Sequence, residues 1–140
     1  MKHLKSERGQ SLVELAISIL ILVYLLAGAV EFGLAFFQFV QLRDAAQEGA
    51  LYGSMNPGDL TGVATRARAA STSPIDLTDA SIVVVTPTII GAACEGNGIK
   101  VTVSYKHKIF MPFIPQFIGS STIPLKAEVT DTILTPVCGP

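Results

Sequence analysis

Two lone acids flank the apolar run over residues 15–30, Glu14 at its entrance and Glu31 at its exit. A carboxylate at or inside a hydrocarbon boundary is costly unless something pairs with it, so each acid calls for a specific partner or a short reach to the headgroups. Two cysteines, Cys94 and Cys138, offer redox chemistry, with a disulfide and a pair of free thiols as the alternatives. The histidines, His3 and His107, stand far apart, His107 between two lysines. No His or second Cys pair lies at metal-ligand spacing, so no metal site is expected. The chain also lacks a nucleophile elbow, a zinc-protease helix motif and a phosphate-binding glycine loop. The expectation is therefore no enzyme, no catalytic residue and no cofactor.

The element that must position both acids is the apolar run itself. Ser18 and Tyr24 are its polar members, and after Glu31 the apolar character resumes through Phe32, Leu34, Phe36 and Phe37. A helix needs about 20 residues to cross a hydrocarbon core of about 30 Å, so a span over about 15–37 accommodates Glu31 close to its outer edge. A cleaved secretory signal has a shorter apolar region followed by small residues, whereas aromatic residues and a helical pattern follow here. A buried core helix of this hydrophobicity needs more protein around it than 140 residues provide. A single membrane-spanning helix is the reading. Lys2, Lys5 and Arg8 against Glu7 precede it, and Arg43, Asp44 and Glu48 follow it. By the positive-inside rule the N-terminus is cytoplasmic and the rest faces outward. With 10 basic and 11 acidic side chains, no global charge points to nucleic acid.

The helical pattern continues beyond the span. Phe36, Phe39, Val40, Ala46 and Ala50 recur near helical spacing, with Gln38, Gln41, Arg43, Asp44, Gln47 and Glu48 between them. Gly53 and Asn56-Pro57 are stop signals, so a helix over about 10–52 is expected, its outer apolar side covered by the C-terminal part of the chain.

Gly9, ending a short basic tail, and Glu14, five residues further on, resemble the type III signal of type IV prepilins. The resemblance implies that a membrane-embedded prepilin peptidase cuts between Gly9 and Gln10, leaving the helix in the membrane. It also implies that Glu14 meets the new terminal amine of a neighbouring subunit. Ser11-Leu12-Val13-Glu14 equally fits a capping box, with Ser11 as N-cap, which needs no processing. Arg8-Gly9-Gln10-Ser11-Leu12-Val13-Glu14-Leu15-Ala16, Glu31-Phe32-Gly33 and Ala45-Ala46-Gln47-Glu48-Gly49-Ala50-Leu51-Tyr52 together resemble the TadE-like family, pseudopilins or minor pilins of the tight-adherence (Flp pilus) system. This implies partners among other pilin subunits and the pilus assembly machinery. An unprocessed, signal-anchored surface binding module is the alternative from another class, and a tethered enzyme the third. For Glu31, a basic residue of a partner subunit and snorkelling to the headgroups remain open.

Residues 57–140 read as one small extracytoplasmic α+β domain, after a leader over 1–9 and a long helix over 10–56. Asp59 suits the N-cap of a short helix to about Ala70, with Val63, Ala67 and Ala70 inward and Arg66 and Arg68 wet. Residues 82–86 form a compact β-branched strand ended by Pro87. Ile99, Val101, Val103 and Tyr105 alternate with Lys100, Thr102, Ser104 and Lys106, and Ile123, Leu125, Ala127 and Val129 repeat the pattern. About three antiparallel strands, apolar on one face, pack against helices. Cys94 precedes the second strand and Cys138 follows the last, so pairing brings the two together on an oxidising side. The apolar stretch over 110–118 either folds under the sheet or forms a patch for another subunit or the membrane surface.

Overall fold

The computed structural model describes residues 7–112, 114–135 and 138, without the side chains of Glu7, Arg8 and Phe117. Lys2, His3 and Lys5 of the expected leader, and Phe113 of the apolar stretch, lie outside the described residues. The elements are α1 (Glu7–Met55), α2 (Leu60–Ala69), β1 (Val83–Ile90), β2 (Gly98–Lys108), α3 (Ile114–Ile118) and β3 (Thr122–Thr132). The strands form one antiparallel sheet in the order β1-β2-β3, so the fold is α+β as expected.

α1 is 49 residues long, about 70 Å at 1.5 Å per residue. It starts before Gly9, so Ser11 lies inside the helix and is not its N-cap, against the capping-box alternative. Residues 11–26 are exposed all round, an apolar rod with no protein against it. From Gly28 upward one stripe is covered, through Glu31, Ala35, Gln38, Gln41, Leu42, Ala45, Ala46 and Ala50. That stripe differs from the expected one, because Phe36, Phe39 and Val40 remain exposed while Gln38 and Gln41 turn inward. Burial of Gln41 is offset by two hydrogen bonds to one backbone residue. Its Nε2 donates to the Ile75 carbonyl at 2.8 Å, and its Oε1 accepts from the Ile75 amide at 3.1 Å.

Small residues let the sheet and α2 approach the upper part of α1. A Cβ added at Gly49 would lie 3.1 Å from Ala67 Cβ and 3.3 Å from Val101 Cγ1. One at Gly53 would run into Ile99 Cδ1 and lie 3.0 Å from Val63 Cγ2. The core around them is Leu42, Val63, Leu77, Val83, Ile99, Val101, Val103 and Ile133. Gly53→Val is expected to destabilise the domain by about 1–3 kcal/mol through overpacking, visible as a lower melting temperature of the full chain in detergent micelles. An unchanged melt would mean that this junction gives way easily.

α1 ends at an Asn56-Pro57-Gly58 turn, in which the Asn56 amide donates to the Tyr52 carbonyl at 3.0 Å. Asp59 then caps α2, accepting from the Gly62 amide at 2.8 Å and from the Tyr52 hydroxyl at 2.9 Å. The hydrogen bond to Asp59 holds the Tyr52 phenol above its ordinary range. Val63 and Ala67 face inward as expected, whereas Ala70 is exposed and Arg68 donates to the Leu77 carbonyl at 3.1 Å.

β1 continues past Pro87 to Ile90, beyond the end expected for it. Proline lacks an amide proton, which rules it out of a central strand but not of an edge, and β1 is an edge. Pro87 sits opposite Val101 in the ladder. The β1–β2 loop opens at Gly91, whose φ of +88° is a left-handed conformation that a side chain would strain.

Candidate functional site

Helix and strand advance at different rates, and this determines what meets Glu31. β2 begins beside the top of α1, with Ile99 against Gly53, and runs back toward the N-terminal end. Eight further strand residues cover about 26 Å at 3.3 Å each, equivalent to roughly 18 helical residues at 1.5 Å each. His107 therefore arrives between Gln38 and Glu31. Its ring is fully buried, with Nε2 2.9 Å from Glu31 Oε1 and Nδ1 2.6 Å from Gln38 Oε1. Nε2–H donates to the Glu31 carboxylate. An imidazolium donates to Gln38 as well, and a neutral ring fits if the Gln38 amide is turned over so that its nitrogen donates.

Glu31 Oε1 also accepts from the Phe110 amide at 3.1 Å, just past the end of β2. The carboxylate is 12% exposed. Helix, strand end and following loop thus close on one acid, and the Phe110 ring packs edge-on to His107 with centroids 6.4 Å apart. Below this clasp lies an apolar cavity of about 220 Å³, bounded by Gly28, Phe32, Ile109, Ile114, Ile118 and Ile123. Glu31 thus has a partner in its own chain, which neither of the alternatives, a partner subunit's base or snorkelling to the headgroups, included.

Glu14 is arranged differently. It is exposed on the bare part of α1, beside Gln10, Val13, Ile17 and Ser18, and has no hydrogen-bond or ionic partner among the described residues. Gly9 and Gln10 lie in the first turns of the same helix, with nothing packed near Gly9. Residues 9–51 match the family model described as TadE-like protein. No curated protein and no solved structure matches the chain. The TadE-like segment contains Gly9, Gln10, Glu14, Glu31, Gln38 and the small residues over 45–50. It ends before the sheet, so His107 and both cysteines lie beyond it.

Cys94 and Cys138 are joined, with Cα atoms 4.9 Å apart. The chain after β3 is stitched both to the Cys94 loop and to the end of α1. The Glu95 amide donates to the Thr135 carbonyl and the Ile133 amide to the Asn97 carbonyl, at 2.9 and 2.8 Å. The Leu134 amide donates to the Ser54 carbonyl at 2.9 Å, and the Thr135 hydroxyl to the Met55 carbonyl at 2.9 Å. The last carbonyls of a helix have no partner within it, so the tail acts as the cap of α1.

Among the described residues no group of three or more His, Cys, Asp or Glu gathers to hold a metal. On the outer face of the sheet Lys126 pairs with Glu128 at 2.7 Å, and this hydrogen bond holds the Glu128 carboxyl below its ordinary range. Sequence reasoning missed His107 and Gln38 as partners of Glu31. The signal for His107 was its parity: it continues the inward series Ile99, Val101, Val103, Tyr105 by one step. For Gln38 the sequence carries no comparable signal.

Proposed function

We propose that this protein is a membrane-inserted, prepilin-like minor pilin or pseudopilin of a tight-adherence pilus, matured by cleavage between Gly9 and Gln10. The TadE-like match over residues 9–51 supports a Tad pilus-associated role, and α1 is long and apolar enough to cross a membrane. The observation that carries the reading is the contrast between the two acids. Glu31 is satisfied inside the chain, while Glu14 stands exposed, without a partner among the described residues, on a helix face that the domain leaves bare. Of the two, Glu14 is the one available to a neighbouring subunit, and the terminal amine created at Gln10 supplies the complementary charge. In this reading the N-terminus is cytoplasmic and residues 57–140 are extracytoplasmic. A span of about 20 residues runs from Leu15 to Leu34 and places Glu31 about 4.5 Å inside the outer boundary at 1.5 Å per residue.

The intact mass of the protein taken from its native membrane tests the processing step. A mature N-terminus at Gln10 is expected, and retention of residues 1–9 in the presence of the matching peptidase would overturn it. Glu14→Ala is expected to leave insertion and cleavage intact and to abolish incorporation into the filament or its assembly complex. Normal incorporation of that variant removes Glu14 from assembly.

A further inference from the structure

The end of the sheet next to Glu31 carries an unusual combination of exposed residues. Phe110 is 69% and Ile118 56% exposed, although Ile118 lines the apolar cavity beneath His107 and the Phe110 ring packs against His107 itself. Their height is fixed by the clasp, since the Phe110 amide bonds the Glu31 carboxylate and Ile118 borders the same cavity as Gly28 and Phe32. Gly28 lies about 20 Å along α1 from Leu15 at 1.5 Å per residue, still within the length required to cross a bilayer. The tip of the domain therefore sits level with the outer end of the bare apolar rod. Immediately above it on the outer face of β2 are Lys108 and Lys106, both exposed and in no ion pair among the described residues. At 3.3 Å per residue they stand about 7 and 13 Å from Phe110, the depth of a headgroup layer. With Lys126 they line one shallow groove of about 620 Å³.

We infer that the connection between β2 and β3 is a second membrane contact. Phe110 and Ile118 enter the outer leaflet beside α1, and Lys106 and Lys108 hold the phosphates of anionic lipids. Apolar side chains below a short cationic step are the arrangement that binds an interfacial surface, and basic residues near an anionic leaflet add to the attraction. The occupant is lipid rather than another protein because the patch is continuous with the uncovered face of the spanning helix. The contact fixes the tilt of the domain on the membrane and keeps water away from the Glu31–His107 pair. This inference rests on the reading that α1 spans the bilayer.

The chain contains no tryptophan, so single substitutions report position without interference from another indole. Phe110→Trp and Ile118→Trp probe the tip, Leu20→Trp the span, and Ile90→Trp the opposite end of the sheet, each in the full chain. The vesicles contain roughly three parts phosphatidylcholine to one part phosphatidylglycerol, with the phosphatidylcholine brominated close to its carbonyls. Tip fluorescence is expected to fall by roughly half, with a blue-shifted emission maximum, while Ile90→Trp is unaffected. Lys106→Glu with Lys108→Glu is expected to reduce tip quenching in these vesicles and leave it unchanged in vesicles of phosphatidylcholine alone. Tip quenching no greater than that of Ile90→Trp, with Leu20→Trp strongly quenched, would overturn the lipid contact while leaving the span intact. Equal effects of the lysine changes in both vesicles would overturn the anionic-lipid assignment. An unquenched Leu20→Trp would overturn the span, and the contact with it.

Discussion

His107→Leu is expected to destabilise the folded domain by about 1–3 kcal/mol, the range for leaving a buried hydrogen-bonding group without its partner. Leucine fills similar space, so the loss is electrostatic rather than a cavity effect. It leaves Glu31, on a helix that carries it into an apolar corner, with the Phe110 amide alone. Glu31→Leu combined with His107→Leu is expected to recover most of that loss, because removing both members of a buried polar pair also removes the desolvation penalty. The four proteins form a double-mutant cycle, measured as chemical unfolding of the full chain in detergent micelles. A double variant as unstable as His107→Leu alone would show that the histidine matters for shape and not for its partner. Hydrogen exchange at the Phe110 amide supplies a local reading: protection is expected to fall in His107→Leu before the sheet as a whole is affected.

The second large effect belongs to the cysteines. Cys138→Ser opens a loop closed across 44 residues, and on the chain-entropy account such a bridge contributes about 4 kcal/mol. For a small domain with a thin core that is a large share of the total stability. The tertiary contacts add a direction to the loss. The bridge holds the tail that caps α1, so its removal frees the amide of Leu134 and the hydroxyl of Thr135 from the Ser54 and Met55 carbonyls. Reduction is therefore expected to release the tail and the last turn of α1 first, seen as early exchange of the Leu134 amide, while the His107 end stays protected. Uniform loss of protection along β2 would contradict this order. Full alkylation of both thiols in fresh, unreduced protein would overturn the bridge itself.

These two predictions concern opposite ends of one strand, because β2 is tied to α1 twice. At the top, Gly53 admits Ile99 and the disulfide-held tail caps the helix; at the bottom, His107 and the Phe110 amide hold Glu31. Between them α1 presents small residues that a flat sheet face can approach closely. The residues over 45–50, which carry part of the TadE-like match, thus have a packing role as well as lying within the matched segment. The lower part of α1 has no such attachment among the described residues and remains bare.

Much of this was legible in the sequence because the signals are local. An unbroken apolar run predicts a span whatever surrounds it, and strict alternation over residues 99–105 and 123–129 predicts strands with one buried face. The α+β class, the short helix capped by Asp59 and the likeness of residues 9–51 to the TadE-like family followed from patterns of that kind. Strand length was less legible, since Pro87 ends a strand by local rule and only its position at a sheet edge allows β1 to continue. The covered side of α1 departs from the apolar pattern for a similar reason. Phe36, Phe39 and Val40 are the more apolar residues, but Gln38 and Gln41 face inward because the chain that folds over them brings backbone and imidazole groups needing hydrogen bonds.

The sequence by itself determined that two acids bracket an apolar helix, and that each needs an explanation. Only the tertiary structure showed which of them its own chain satisfies. The meeting of Glu31 with a histidine 76 residues away depends on the ratio of strand rise to helix rise and on where the sheet is anchored, and no local pattern encodes that sum. Glu14 lies below the reach of the domain, so its own chain offers it no partner among the described residues, and the same packing that satisfies one acid leaves the other exposed.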